Sequence, residues 1–164
     1  IYFFVFCTLA FSGTQNYGAL PTNTYVVGCT TPPCGLRQLE DAVVNIRFKT
    51  PRPIKSMSTL ATAYLTLLGI QIPVPYPLGD NAVTCNFLNK PCPVLGDEEL
   101  EYTLRMYIEP TFPVGTSLPI EFRIVDDRDA AIVCIRVPIT ILGPASETKH
   151  VFVVFACVFF VETA

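Results

Sequence analysis

The chain has 164 residues, enough for one domain with a full hydrophobic core. Its net charge of −3 leaves no basic footprint for nucleic acid. Charged residues make up only 15% of it against 51% apolar ones, more than one small core needs, so the two ends need separate accounts.

Residues 1–12 (IYFFVFCTLAFS) read as the h-region of a secretory signal peptide, an apolar run closing on the small-x-small pattern Ala10-Phe11-Ser12. A buried first strand is the competing reading. Next come two close cysteine pairs, Cys29-x4-Cys34 and Cys85-x6-Cys92, with Cys134 further on. Each pair is close enough to staple a local loop, as in small secreted domains where thiols oxidise. Zinc is the rival, but it wants further cysteine pairs or histidines, and the single histidine, His150, lies in the tail.

Between the cysteines the pattern is all-β. Residues 42–49 alternate, with Val44, Ile46 and Phe48 opposite Asn45, Arg47 and Lys49. Residues 59–68 form a longer strand, nearly apolar on both faces. Pro73, Pro75 and Pro77 then interrupt the ladder, so this segment belongs at a sheet edge or outside the sheet. Its apolar side chains Ile72, Val74 and Tyr76 cap the core or line a gap between sheets. Residues 101–108 set Tyr102, Leu104, Met106 and Ile108 on one face. Residues 118–125 do the same with Leu118, Ile120, Phe122 and Ile124, and residues 133–141 with Val133, Ile135, Val137, Ile139 and Ile141. Turn signals separate these runs, and short alternating strands with 15 prolines in the chain predict a two-sheet sandwich. Residues 143–164 end in the apolar run VFVVFACVFFV, about half the roughly twenty residues of a spanning helix. That tail reads as a weak anchor signal or an artefact.

No catalytic constellation is present, and the expectation is a protein without enzymatic activity or cofactor. A nucleophile–histidine pair is excluded because His150 stands outside the domain. Asp126, Asp127 and Asp129, like Asp97, Glu98 and Glu99, fall at turns where solvated charges are the ordinary case, so no metal site is assigned. No Asn-x-Ser/Thr sequon occurs.

Several of these segments together resemble one family. They are Thr31-Pro32-Pro33 between Cys29 and Cys34, and Val74-Pro75-Tyr76-Pro77 ahead of the Cys85/Cys92 pair. The run Ile120-Glu121-Phe122-Arg123-Ile124-Val125-Asp126-Asp127 and the close Cys134-Ile135-Arg136-Val137-Pro138-Ile139 complete the set. In order and spacing they are similar to the Niemann–Pick type C2 family of secreted sterol and lipid carriers, within the lipid-recognition (ML) superfamily that includes group 2 mite allergens. The resemblance spans residues 13–142. It implies an immunoglobulin-like β-sandwich with an apolar cavity between its sheets, and bridges Cys29–Cys34 and Cys85–Cys92. The family's third bridge would join Cys134 to a cysteine where this chain has Ser12, so Cys134 is expected to lack its partner, unless Cys7 replaces it.

By the same resemblance Tyr76, Ile108 and Phe112 border the pocket mouth, with Val44, Ile46, Val74, Met106, Phe122 and Ile135 as its wall. Phe122 stands where many vertebrate members carry Trp. Plain sandwich core is the alternative for every one of them. The implied function is a secreted monomeric carrier, extracellular or endo-lysosomal, that holds a sterol, fatty acid or similar hydrophobic molecule. It would contact a membrane or acceptor protein transiently. A protein-interaction or innate-immune module of the same fold, with incidental lipid, is the alternative.

Overall fold

The computed structural model describes residues 21–145. The readings of residues 1–12 and of the tail beyond residue 145 fall outside the described residues.

The described residues form eight strands: β1 (Asn23–Val26), β2 (Cys34–Arg37), β3 (Asp41–Lys49), β4 (Met57–Leu67), β5 (Ile70–Tyr76), β6 (Glu99–Tyr107), β7 (Ser117–Asp126) and β8 (Ala131–Leu142). They form a three-stranded sheet, β1-β3-β6, and a five-stranded sheet, β2-β8-β7-β4-β5. Among the described residues only the β2–β8 pair is parallel. Two 3₁₀ turns, Gly79–Ala82 and Thr84–Phe87, fill the β5–β6 connection, and no α-helix occurs among the described residues. The alternating rows behave as the sequence predicts. Val44, Ile46 and Phe48 of β3 and Leu100, Tyr102, Leu104 and Met106 of β6 share one buried cluster with Ile120, Phe122 and Ile124 of β7. Val133, Ile135, Val137, Ile139 and Ile141 of β8 complete it. Period-2 alternation puts each row on one face, and burying both rows against each other removes them from water.

Strands β1 and β2 have no counterpart in the sequence reading. Each is only four residues long, and β2 pairs with a segment a hundred residues away, Cys34 opposite Ile139. Gly35 leaves room for the Leu142 side chain, since a Cβ there would stand 2.6 Å from its Cδ1. The proline segment is β5, at the sheet edge and paired, among the described residues, only with β4. Pro73 and Pro75 cannot donate, so ladder bonds to β4 come from the residues between them, and the outer edge is left short of donors.

Both local staples are present. Cys29–Cys34 has its Cα atoms 5.3 Å apart, Cys85–Cys92 5.6 Å. The expectation for Cys134 is overturned, because Cys134 is disulfide-bonded, with a partner outside the described residues. Its side chain lies on the outer face of β8 and is buried.

Two acidic groups are buried, Asp126 against the expectation of a solvated turn. Asp126 is buried; its carboxylate pairs with Arg52 and accepts from Arg128 N (2.9 Å) and Ala130 N (3.0 Å), which shapes the β7–β8 turn. Glu121, on the outer face of β7, is buried among Arg123 (2.6 Å), Arg136 (2.9 Å) and the Tyr64 hydroxyl (3.0 Å). Arg136 also lies 4.1 Å over the Tyr64 ring. Burial by itself would raise the Glu121 carboxyl pKa, but the bonds from Arg136, Arg123 and Tyr64 outweigh it and hold the group below its ordinary range.

Candidate functional site

The two ends of the sandwich are built differently. At the end holding Lys49, Glu99 and Asp126 the sheets are shut. Phe48, Ile54, Leu100, Tyr102 and Ile124 are at most 1% exposed there. Thr59 Oγ1 donates to the Tyr102 hydroxyl at 2.9 Å and bonds Thr84 Oγ1 at 2.8 Å, so the polar atoms drawn inside are satisfied. The Cys85–Cys92 staple closes this end over the core.

At the other end the sheets part around a cavity of about 50 Å³, lined by Ala63, Tyr76, Met106, Ile108, Phe112, Thr116, Leu118, Ile120, Ile139 and Ile141. Its walls present apolar atoms only. The alternating strands deliver the deep wall: Met106 comes from β6, Leu118 and Ile120 from β7, Ile139 and Ile141 from β8. The proline-rich edge strand brings Tyr76, and the loop after β6 brings Phe112. These two half-buried rings meet with centroids 5.8 Å apart at 47°. The Tyr76 hydroxyl donates to Tyr107 O at 3.0 Å, so the aromatic lip is tied to the three-stranded sheet. Burial, with a smaller push from the Glu109 charge, raises the Tyr76 phenol pKa, which keeps it a neutral donor.

Of the nine residues expected at the site, the structure brings Tyr76, Ile108, Phe112 and Met106 together around this cavity. Val44, Ile46, Phe122 and Ile135 are buried between the sheets but do not line it. Val74 faces the same way as Ala63, its partner across the β4–β5 ladder, yet is 41% exposed and lies outside the cavity. The β4–β5 hairpin runs past the end of the three-stranded sheet, and nothing among the described residues covers it there. Ile108 differs from the other mouth residues in being only 2% exposed, beneath the lip rather than in it.

Sequence reasoning assigned no site role to Ala63, Thr116, Leu118, Ile120, Ile139 or Ile141. Four of them stood in rows already read as inward. Period-2 alternation marks a face but not where along a strand the sheets separate.

Beyond the cavity the inner face of the hairpin continues as an apolar ramp. Leu65, Leu67, Ile70, Ile72 and Val74 lie on it, each at least 41% exposed. No charged residue occurs between Lys55 and Asp80. The apex, Leu68-Gly69, has both residues at positive φ, 51° and 79°, as a two-residue hairpin turn requires. Asn or Gly would take the first position without strain; here it holds a leucine that is 95% exposed.

A sandwich of three plus five strands, with an apolar cavity opening at one end, is the architecture of a lipid-binding domain. The ML-domain sequence profile matches residues 12–141, and the chain belongs to the ML-domain family, among its Niemann–Pick C2-like members. It is 23% identical over 115 residues to NPC intracellular cholesterol transporter 2 of Danio rerio, an alignment covering 70% of this chain and 72% of that one. Identity to the Bos taurus protein of that name is 25% over 113 residues, 69% and 71% of the two chains. The fold also matches the crystal structure of a Niemann–Pick type C2 protein from the Japanese carpenter ant, with a TM-score of 0.70 and 22% identity. That match covers 85% of this chain and 99% of the ant protein.

Proposed function

We propose that this protein binds a sterol, fatty acid or similar hydrophobic molecule in the cavity beneath Tyr76 and Phe112 and carries it between membranes. The observation that carries the reading is the wholly apolar lining of a cavity reached through an aromatic lip. The names of the relatives, cholesterol transporters, support the same ligand class. Binding is driven by desolvation. Burying about 400 Å² of ligand surface yields on the order of 10 kcal/mol gross, of which several kcal/mol are lost in immobilising the ligand.

A cavity of about 50 Å³ falls well short of the roughly 300–1,000 Å³ of ordinary ligand pockets, so uptake requires the sheets to part at this end. The shut end, stapled and fully packed, is the fulcrum. Delivery requires contact with a bilayer, and the charge-free hairpin ramp, which leads from Ala63 and Tyr76 to Leu68, is the face suited to it. Two disulfides among the described residues support a secreted or endo-lysosomal setting.

Solvent extraction of the purified protein followed by mass spectrometry tests the reading. One lipid per protein is the expected result. Protein that yields none, and does not take up sterol or fatty acid from vesicles, overturns it.

A further inference from the structure

The lip that Phe112 forms is held by few contacts. Ile108, where it begins, is fixed by two backbone bonds to the β2–β3 turn: Leu39 N donates to Ile108 O at 2.9 Å and Ile108 N to Glu40 O at 3.0 Å. At its far side Gly115 N donates to Ile141 O at 2.8 Å. Between these points, the hydrogen bonds that reach residues 109–112 from elsewhere among the described residues come from one side chain. Gln38 Nε2 donates to Pro110 O at 3.1 Å and to Phe112 O at 2.6 Å. A glutamine amide nitrogen has two hydrogens, and both are used.

The backbone places this side chain at a junction. Gln38 follows β2 and donates its own N–H to Leu142 O at 3.0 Å, so its main chain is anchored to the five-stranded sheet at the end of β8. The lip it grips continues from β6, in the three-stranded sheet. Gln38 is therefore a buried polar cross-link between the two sheets at the end where they must part. Pro110 and Pro113 stiffen the segment between them, so the lip swings rather than unravels.

We propose that Gln38 is the latch of the cavity: a positioning residue that sets how fast ligand enters and leaves by holding the Phe112 lip closed, without touching the ligand itself. This rests on the reading of the cavity as the ligand site. Opening breaks both Gln38 bonds, and closing over a bound ligand restores them. Their loss therefore lowers the barrier in both directions and cancels from the equilibrium affinity.

The experiment uses the fluorescent sterol dehydroergosterol, with uptake and release followed by stopped flow on the disulfide-intact protein. Gln38→Met keeps the length of the side chain but has no donor. It is expected to speed uptake and release alike, each roughly tenfold, as loss of two neutral hydrogen bonds implies, with Kd within about twofold. Gln38→Lys restores donors to the same carbonyls and is expected to return both rates toward those of the unaltered protein. Amide hydrogen exchange at Thr111 and Phe112 in ligand-free protein should quicken in Gln38→Met and recover in Gln38→Lys. Unchanged rates in Gln38→Met overturn the latch, as does slower uptake, or a lower melting temperature with no gain in rate, the mark of a merely structural residue. If the unaltered protein takes up neither dehydroergosterol nor a fluorescent fatty acid, the ligand reading itself fails and the latch falls with it, a result distinct from uptake that ignores position 38.

Discussion

The shut end and the open end of this sandwich use the same strands to opposite effect. Strands β3, β4, β6, β7 and β8 all run from one to the other, and along each the inward residues are mostly apolar. At the shut end Phe48, Leu100 and Ile124 fill the space and Thr59, Thr84 and Tyr102 satisfy one another. Toward the open end Tyr76 and Phe112 leave a gap that they cover without filling. A domain is stable because most of its interior is packed, and it can admit a guest because one part of it is not. Stability and binding should therefore separate along the length of the strands.

Truncation at each end is the strongest way to break that comparison. Phe48→Ala is expected to cost about 3–5 kcal/mol of folding stability, since a fully buried aromatic leaves a cavity that neighbours fill only in part. The folded fraction should bind sterol as before. Phe112→Ala, half-buried at the lip, should cost about 1 kcal/mol or less yet weaken ligand binding at least tenfold. Denaturant melts and probe titrations on both variants check this. If Phe48→Ala weakened binding more than Phe112→Ala, the division of labour would be wrong. Ile108 cannot serve as the mouth probe: at 2% exposure a charge there is buried unpaired, and Ile108→Asp should unfold the domain.

Midway along the strands, on the outer face, Glu121 joins β7 to β8 and β4 through Arg136 and Tyr64. Glu121→Gln is expected to cost about 3 kcal/mol near neutral pH, because two arginines lose their buried counter-charge. The acid dependence has a definite sign. A carboxyl whose folded pKa is depressed contributes its stabilisation in full above its unfolded value and loses it as pH falls through the folded one. The gap between the original protein and Glu121→Gln should therefore narrow only below the ordinary carboxylate range, and chemical melts at pH 7, 5 and 3 would show it. A smaller loss, about 1–2 kcal/mol, is expected for Thr59→Val, which removes the hydroxyl that both Thr84 and Tyr102 bond at the shut end.

Much of this architecture can be read from the chain, for a physical reason. Rows such as Val44-Ile46-Phe48 and Ile120-Phe122-Ile124 announce their face through alternation alone, and the two close cysteine pairs announce their loops. What alternation cannot convey is position along the strand. Phe122 and Ile120 belong to one row, two residues apart, yet only Ile120 reaches the cavity. Val74 has the inward phase and is still exposed, because the sheet that would cover it stops short. Gln38 is invisible for another reason: its role depends on carbonyls more than seventy residues away. Glu121 looks like an ordinary outward charge until Arg136, fifteen residues on, is seen beside it.

The hairpin that projects beyond the open end offers the finest test, because there stability and function should move in opposite directions. Leu68 pays for its place at the apex in backbone strain, since a bulky L-residue at φ 51° crowds its own main chain, and its side chain gains no burial in return. Asparagine tolerates that conformation well, so Leu68→Asn should leave stability unchanged or raise it by about 0.5 kcal/mol. If the ramp is the face that meets a bilayer, the same change removes the side chain that reaches furthest into it. Transfer of dehydroergosterol from protein to neutral phosphatidylcholine vesicles should then slow several-fold, while affinity for the sterol in solution stays as it was. Transfer at the original rate from a more stable variant would show the apex leucine to be strained to no purpose, and delivery would have to use another surface.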